Sequence, residues 1–133
     1  EKFDLPNIEA FKDQIKKLRK LLMVAKPDED QSRDLDYLLV LGELFTLVVY
    51  GHLVLEKALM DETNHDLLNQ MFGLFVRDFS GYATELYGKP SNSNRQRKMI
   101  RRLIQAPVAD AEQAERVWNE YVYALKGQYR LGA

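Results

Sequence analysis

The chain has 133 residues, with 19 basic and 20 acidic side chains and a formal net charge of −1. This length fits one domain, and a hydrophobic share of 46% beside a charged share of 29% argues against disorder. The balanced charge does not indicate a nucleic-acid-binding module. The absence of cysteine excludes disulfides and thiolate metal sites.

The N-terminal residues show neither the apolar segment of a signal peptide nor an initiator methionine. We therefore expect one domain over residues 1–133, cut from a longer cytoplasmic chain. The longest apolar stretch, residues 38–55, is long enough to span a membrane, but Glu43 and His52 interrupt it. We expect a core helix there and no membrane contact.

Apolar residues at spacings of three and four predict a first helix over residues 6–25 and a second over residues 33–60. Pro6 suits the first turn of the first helix, and Pro27 prevents its continuation. The second helix is apolar on nearly every side. That composition predicts that it occupies the centre of the fold.

Three more helices follow. The third is predicted over residues 65–87 and the fourth over residues 94–105. A fifth opens at Asp110, with Gln113 in the position of a capping-box partner, and closes at Gly127. Its expected buried residues include Val117 and Trp118. With no strand pattern, the sequence predicts an all-α fold, an antiparallel four- to five-helix bundle.

Two polar residues stand out in the apolar helices. An unpaired carboxylate inside an apolar helix is costly, so we expect Glu43 to form a buried ion pair with Arg77. His52 precedes Glu56 by four residues, which predicts a partly buried histidine with a local carboxylate partner, with a general acid–base or ligand pair as the alternative. Neither pair predicts catalysis, and we expect no metal site.

The predicted fourth helix is strongly basic. It concentrates five cations within eight residues, namely Arg95, Arg97, Lys98, Arg101 and Arg102. One interpretation is a surface that holds a phosphorylated or acidic partner, and the other is a solvated helix face. No aromatic side chains alternate with these cations, which argues against nucleic acid.

Three stretches together resemble a known domain. They are residues 42–51 (GELFTLVVYG), residues 77–83 (RDFSGYA) continuing to residues 88–91 (GKPS), and residues 116–120 (RVWNE). They resemble the extra helical domain at the C-terminus of some bacterial acyl-CoA dehydrogenases, over about residues 38–131. The resemblance implies a parent flavoprotein that uses FAD to oxidise an acyl-CoA. The catalytic and FAD-binding residues of that family belong to the preceding dehydrogenase core, so none is assigned in this chain.

The leading functional hypothesis is therefore an accessory helical domain that packs on a dehydrogenase core or assists homo-oligomerisation, and that is inactive alone. The alternative is a free-standing protein-interaction module that uses the basic fourth helix. A ligand-binding bundle with an apolar pocket beside Phe75 and Trp118 is a third hypothesis.

Overall fold

The computed structural model describes residues 5–125, and these residues form helices and no strand. The all-α prediction is confirmed for this part of the chain. The helices are α1 (Pro6–Val24), α2 (Leu35–Asp61), α3 (His65–Tyr87), α4 (Asn94–Arg101) and α5 (Ala111–Val117). A 3-10 turn, Gln31–Arg33, precedes α2, and α5 continues through a π-helical turn, Trp118–Val122, into the 3-10 turn Tyr123–Leu125.

Side-chain caps fix where the helices begin. The Asn64 side chain accepts from the Leu67 backbone N–H at 3.1 Å, and α3 then covers its predicted range. Ser93 and Gln96 form a reciprocal capping box at the start of α4. Asp110 caps α5 as predicted, by accepting from the Gln113 N–H at 3.0 Å. The predicted end at Gly127 lies outside the described residues.

Helix α3 is the centre of the fold, because α1, α2, α4 and α5 all pack against it. Its apolar stripe is buried largely as predicted: Phe72, Phe75 and Phe79 surround the ring of Phe11 from α1 at centroid distances of 5.7 to 6.0 Å. These four rings form the middle of the core, where aromatic side chains bury the most apolar area per residue.

The prediction that the second helix occupies the centre is wrong. Helix α2 buries only one line of residues against its neighbours. That line comprises Tyr37, Val40, Leu41, Leu44, Gly51 and Ala58. Leu47, Val48, Val54 and Leu55 flank this line and are partly buried against the core, and the remaining apolar side chains face solvent, because α3 packs along one side of α2 only. Composition alone made α2 look like a central helix, and the packing leaves its opposite side uncovered.

Candidate functional site: the outer face of α2 and the basic helix α4

The side of α2 opposite its buried line is apolar and exposed. We call this surface the outer face. It comprises Leu35, Leu38, Leu39, Gly42, Thr46, Val49, Tyr50, Leu53 and Met60. These residues recur at three- and four-residue spacing, so they form one stripe along the helix. Exposure reaches 79% at Met60. A contiguous apolar surface of this kind marks an interaction site.

Helix α2 is also long and apolar enough to cross a membrane, judged by length and composition, and 22% of its most apolar window is buried. The interior helix of a soluble protein can meet the same criterion. Polar residues interrupt the helix: Glu43, Thr46, His52 and Glu56 are all exposed. The ends of the helix carry Asp34, Asp36 and Asp61, and an anionic bilayer surface attracts cations rather than carboxylates.

The predicted buried ion pair between Glu43 and Arg77 is wrong. Both residues are exposed, and Arg77 pairs with its neighbour Asp78 at 3.3 Å. Glu43 instead lies beside the Tyr82 hydroxyl, and this carboxylate raises the pKa of Tyr82. Glu43 needs no buried cation because α2 turns it toward solvent.

A groove of about 490 Å³ runs between α1 and α2. Its lining is mostly apolar and includes Phe11, Ile15 and Val48, with Lys12 and Arg19 as cations. The predicted pair of His52 and Glu56 is present, with Nε2 and Oε1 3.2 Å apart, but both side chains are exposed, so the prediction that His52 is partly buried is wrong. The groove adjoins the outer face, since Val49 and Leu53 belong to both.

The two residues proposed to flank an apolar pocket have different surroundings. Phe75 is buried among the core rings, and Trp118 is 52% exposed, so the prediction that Trp118 is a core residue is also wrong. Helix α5 is held by polar contacts instead. The Arg116 guanidinium donates from Nε and Nη2 to the two oxygens of Asp66 at 2.7 and 3.1 Å, and this interaction lowers the pKa of Asp66.

Buried amides hold the helix ends together, a feature that the sequence patterns did not reveal. The Asn7 backbone N–H donates to Asn69 Oδ1 at 3.0 Å, and Asn69 Nδ2 donates to Gln113 Oε1 at 2.7 Å, which connects α1, α3 and α5. Each amide is satisfied locally, as buried polar groups require. We read this chain of amides as structural.

Helix α4 presents its cations without carboxylate partners among the described residues. Arg95, Lys98, Arg101 and Arg102 are exposed, and Arg97 is half-buried. Arg101 Nη2 donates to the Tyr87 hydroxyl at 2.9 Å, and its guanidinium lies 5.6 Å from the centre of that ring. Arg97 donates to Asn94 Oδ1 at 3.4 Å. These contacts orient two guanidiniums while leaving their charge uncompensated.

Within the described part of the chain, no group of three His, Asp or Glu side chains is arranged to hold a metal ion. Among known proteins, no family model, no curated protein and no solved structure matches this chain. The resemblance to the acyl-CoA dehydrogenase domain therefore stays a prediction, and the geometry of the outer face and of α4 carries the functional argument.

Proposed function

We propose that the chain is an accessory domain that acts by self-association: the outer face of α2 packs against the same face of a second copy. The exposed apolar stripe on α2 is the observation that carries this proposal. The described residues offer an apolar surface for binding protein, whereas His52 pairs with Glu56 on the surface of α2 and Asp66 pairs with Arg116.

The area of the outer face suits a dimer. Its seven exposed large apolar side chains are on average about 59% exposed. At about 200 Å² for each fully exposed residue, they offer roughly 800 Å², which is what one partner contributes to a standard stable interface. A two-fold dimer buries this patch on both subunits at once.

A protein partner fits this face better than a lipid surface. The acidic residues at both ends of α2 oppose an anionic bilayer, and Gly42 and Thr46 give a shallow centre against which another helix can pack closely. A Cβ built at Gly42 meets nothing within 4 Å, so this space is open to a partner.

By the family resemblance, the domain would follow an FAD-containing dehydrogenase core in a cytoplasmic parent enzyme. The self-association of α2 would then contribute to oligomerisation of that enzyme. We further propose that α2 and α3 pack antiparallel, as in the predicted bundle. Tyr50 contacts Phe75 and Glu43 lies beside Tyr82, so residue numbers rise along one helix while they fall along the other.

The test is the solution mass, measured by light scattering and sedimentation across a concentration series. A protomer has a mass of 15.5 kDa, and we expect twice that value. Leu53→Glu should return the mass to that of a monomer. Leu74→Glu is the matched control, because Leu74 on α3 is 51% exposed and Leu53 is 55% exposed. A wild-type protein that stays monomeric, or equal effects of the two variants, would show that the outer face does not self-associate.

Helix α4 supports a second candidate function, the binding of an acidic protein segment. Its four cations and Arg102, the residue that follows it, lack carboxylate partners in the described structure, and Tyr87 and Asn94 orient two of them. A poly-glutamate peptide is a suitable probe. Binding should weaken steeply with salt and disappear in the variant Arg97→Glu/Arg101→Glu/Arg102→Glu. Lys16→Glu/Arg19→Glu/Lys20→Glu on α1 is the control, and equal loss in both triple variants would exclude a specific α4 site.

A further inference from the structure

We infer that the two copies of α2 cross antiparallel about Tyr50, with Glu43 of each copy opposite Lys57 of the other. This inference rests on the proposed self-association and adds the residues that set its direction. It follows from the placement of three residues along one edge of the outer face.

Glu43, Tyr50 and Lys57 are spaced seven residues apart. Because seven residues make almost two turns, all three lie on the same flank of α2. All three are exposed, and Tyr50 is held in place by an edge-on contact with Phe75, whose ring centre is 5.6 Å away. Tyr50 lies midway along the length of this flank, and a large, anchored aromatic residue there is suited to the centre of an interface.

Charge complementarity along this flank favours an antiparallel crossing. An antiparallel two-fold pair brings the same flank of both copies together, whereas a parallel pair sets this flank against the opposite flank of the partner and does not bring Glu43 to Lys57. An antiparallel pair centred on Tyr50 sets each Glu43 against a Lys57, because both lie about 10 Å from the centre at 1.5 Å per residue. Within the described part of one protomer, Glu43 lies beside the Tyr82 hydroxyl rather than beside a cation. Lys57 pairs with Asp61 of the same helix at 3.1 Å.

Side-chain size agrees with this direction. On the centre line of the outer face, the small residue Thr46 lies four residues before Tyr50 and the larger Leu53 lies three residues after it. An antiparallel crossing about Tyr50 brings Leu53 of each copy over Thr46 of the other. Such a face is complementary to itself, as a two-fold interface requires.

A charge exchange tests the assignment. Glu43→Lys and Lys57→Glu should each raise the dimer Kd by about tenfold, since either change turns both symmetric contacts into like-charge contacts. The double variant Glu43→Lys/Lys57→Glu should restore the wild-type Kd. Glu56→Lys with Lys57→Glu is the control, because it keeps the net charge of the helix and does not rebuild the contact. Circular dichroism and thermal unfolding establish that each variant is folded.

Cross-linking gives a second readout that does not depend on charge. The chain has no cysteine, so Tyr50→Cys places one thiol per copy beside the two-fold axis. A short bis-maleimide should join two copies of this variant but not of Phe45→Cys, whose thiol lies on the other flank of α2.

The outcomes separate the two proposals. A monomeric wild-type protein contradicts the self-association itself. A dimer that Leu53→Glu disrupts, but whose Kd the double charge exchange fails to restore, leaves self-association standing and overturns the antiparallel pairing of Glu43 with Lys57. Cross-linking of Phe45→Cys in preference to Tyr50→Cys overturns the pairing as well.

Discussion

The side chains of Gln31 and Gln96 form a closed amide pair: Gln31 Nε2 donates to Gln96 Oε1 at 2.9 Å, and Gln96 Nε2 donates to Gln31 Oε1 at 3.0 Å. Both residues are buried. Gln96 Nε2 also donates to the carbonyl of Ala25 at 3.2 Å, so this pair ties the end of α1 and the turn before α2 to the start of α4. It is therefore the main polar contact that fixes the basic helix on the bundle.

Gln96→Leu should destabilise the fold by about 2–3 kcal/mol, because it removes the buried hydrogen bonds of Gln96 with Gln31, with the Ala25 carbonyl and with the Ser93 N–H. The double variant Gln31→Leu/Gln96→Leu should cost at least about 0.5 kcal/mol less than the sum of the single changes, since it removes both members of the pair. Urea unfolding of the four proteins measures the coupling. Additive effects would show that the two amides do not act as a pair.

Gly51 of α2 lies against the Phe11 ring of α1, and we predict that Gly51→Ala is destabilising. An added Cβ would lie 2.5 Å from Cε2 of Phe11, whose ring is enclosed by other aromatic rings. The resulting overpacking should cost about 1–3 kcal/mol, more than the helix propensity gained from alanine.

Gly81→Ala is the matched control for Gly51→Ala. Gly81 is exposed on α3, and a Cβ there meets nothing within 4 Å. This change should stabilise the protein by about 0.5–1 kcal/mol, because it removes only the backbone entropy cost of glycine. Thermal unfolding of both variants checks the difference, and a stabilised Gly51→Ala protein would show that the Phe11 ring can move aside.

The bounds of a helix could be predicted from the sequence where local signals, such as a cap and a regular apolar spacing, determine them. Helix α3 begins and ends where predicted, because Asn64 caps it and its apolar residues keep a regular spacing up to Tyr87. The position of α2 in the fold could not be predicted from the sequence. Its residues are apolar on nearly every side, so the pattern cannot show which side the neighbours cover.

The same distinction between local signals and tertiary packing applies to the candidate site. The five cations of residues 95–102 could be predicted from composition, and a short amphipathic helix is enough to expose four of them and to leave Arg97 half-buried. The pairing of Glu43 with Arg77 failed because it assumed that an apolar helix is buried all round. The amide contact between Asn7 and Asn69 joins residues that are 62 positions apart, and no local pattern encodes such a contact.

Stability at acid pH should depend on Asp66. The Arg116 guanidinium and the Gln113 amide hold the pKa of Asp66 below the ordinary value of 3.8 in the folded state. The contribution of the Asp66 carboxylate to the free energy of unfolding is therefore present above pH 3.8 and is lost as pH falls through its lower folded pKa. Asp66→Asn should reduce the unfolding midpoint in urea at neutral pH and give a shallower loss of stability on acidification.

Arg116→Gln checks the cause, because it removes the cation and leaves the carboxylate. This variant should show the same shallower acid profile as Asp66→Asn. The pKa of Asp13 is lowered by its contact with Lys17, so Asp13 retains its own contribution to the acid dependence of stability in both variants. A wild-type acid profile in both proteins would show that the Asp66–Arg116 contact does not stabilise the folded state.

Glu62 ends α2 in the left-handed conformation, with φ of 50° and ψ of 46°. A side chain with a Cβ is strained there, whereas glycine adopts this conformation freely. Glu62→Gly should therefore stabilise the protein by about 0.5–1 kcal/mol, after allowance for the greater entropy of glycine in the unfolded chain. Glu62→Ala keeps the strain and removes the same carboxylate, so it should give no such gain. If the two variants unfold at the same urea concentration, the left-handed residue at this helix end carries no strain.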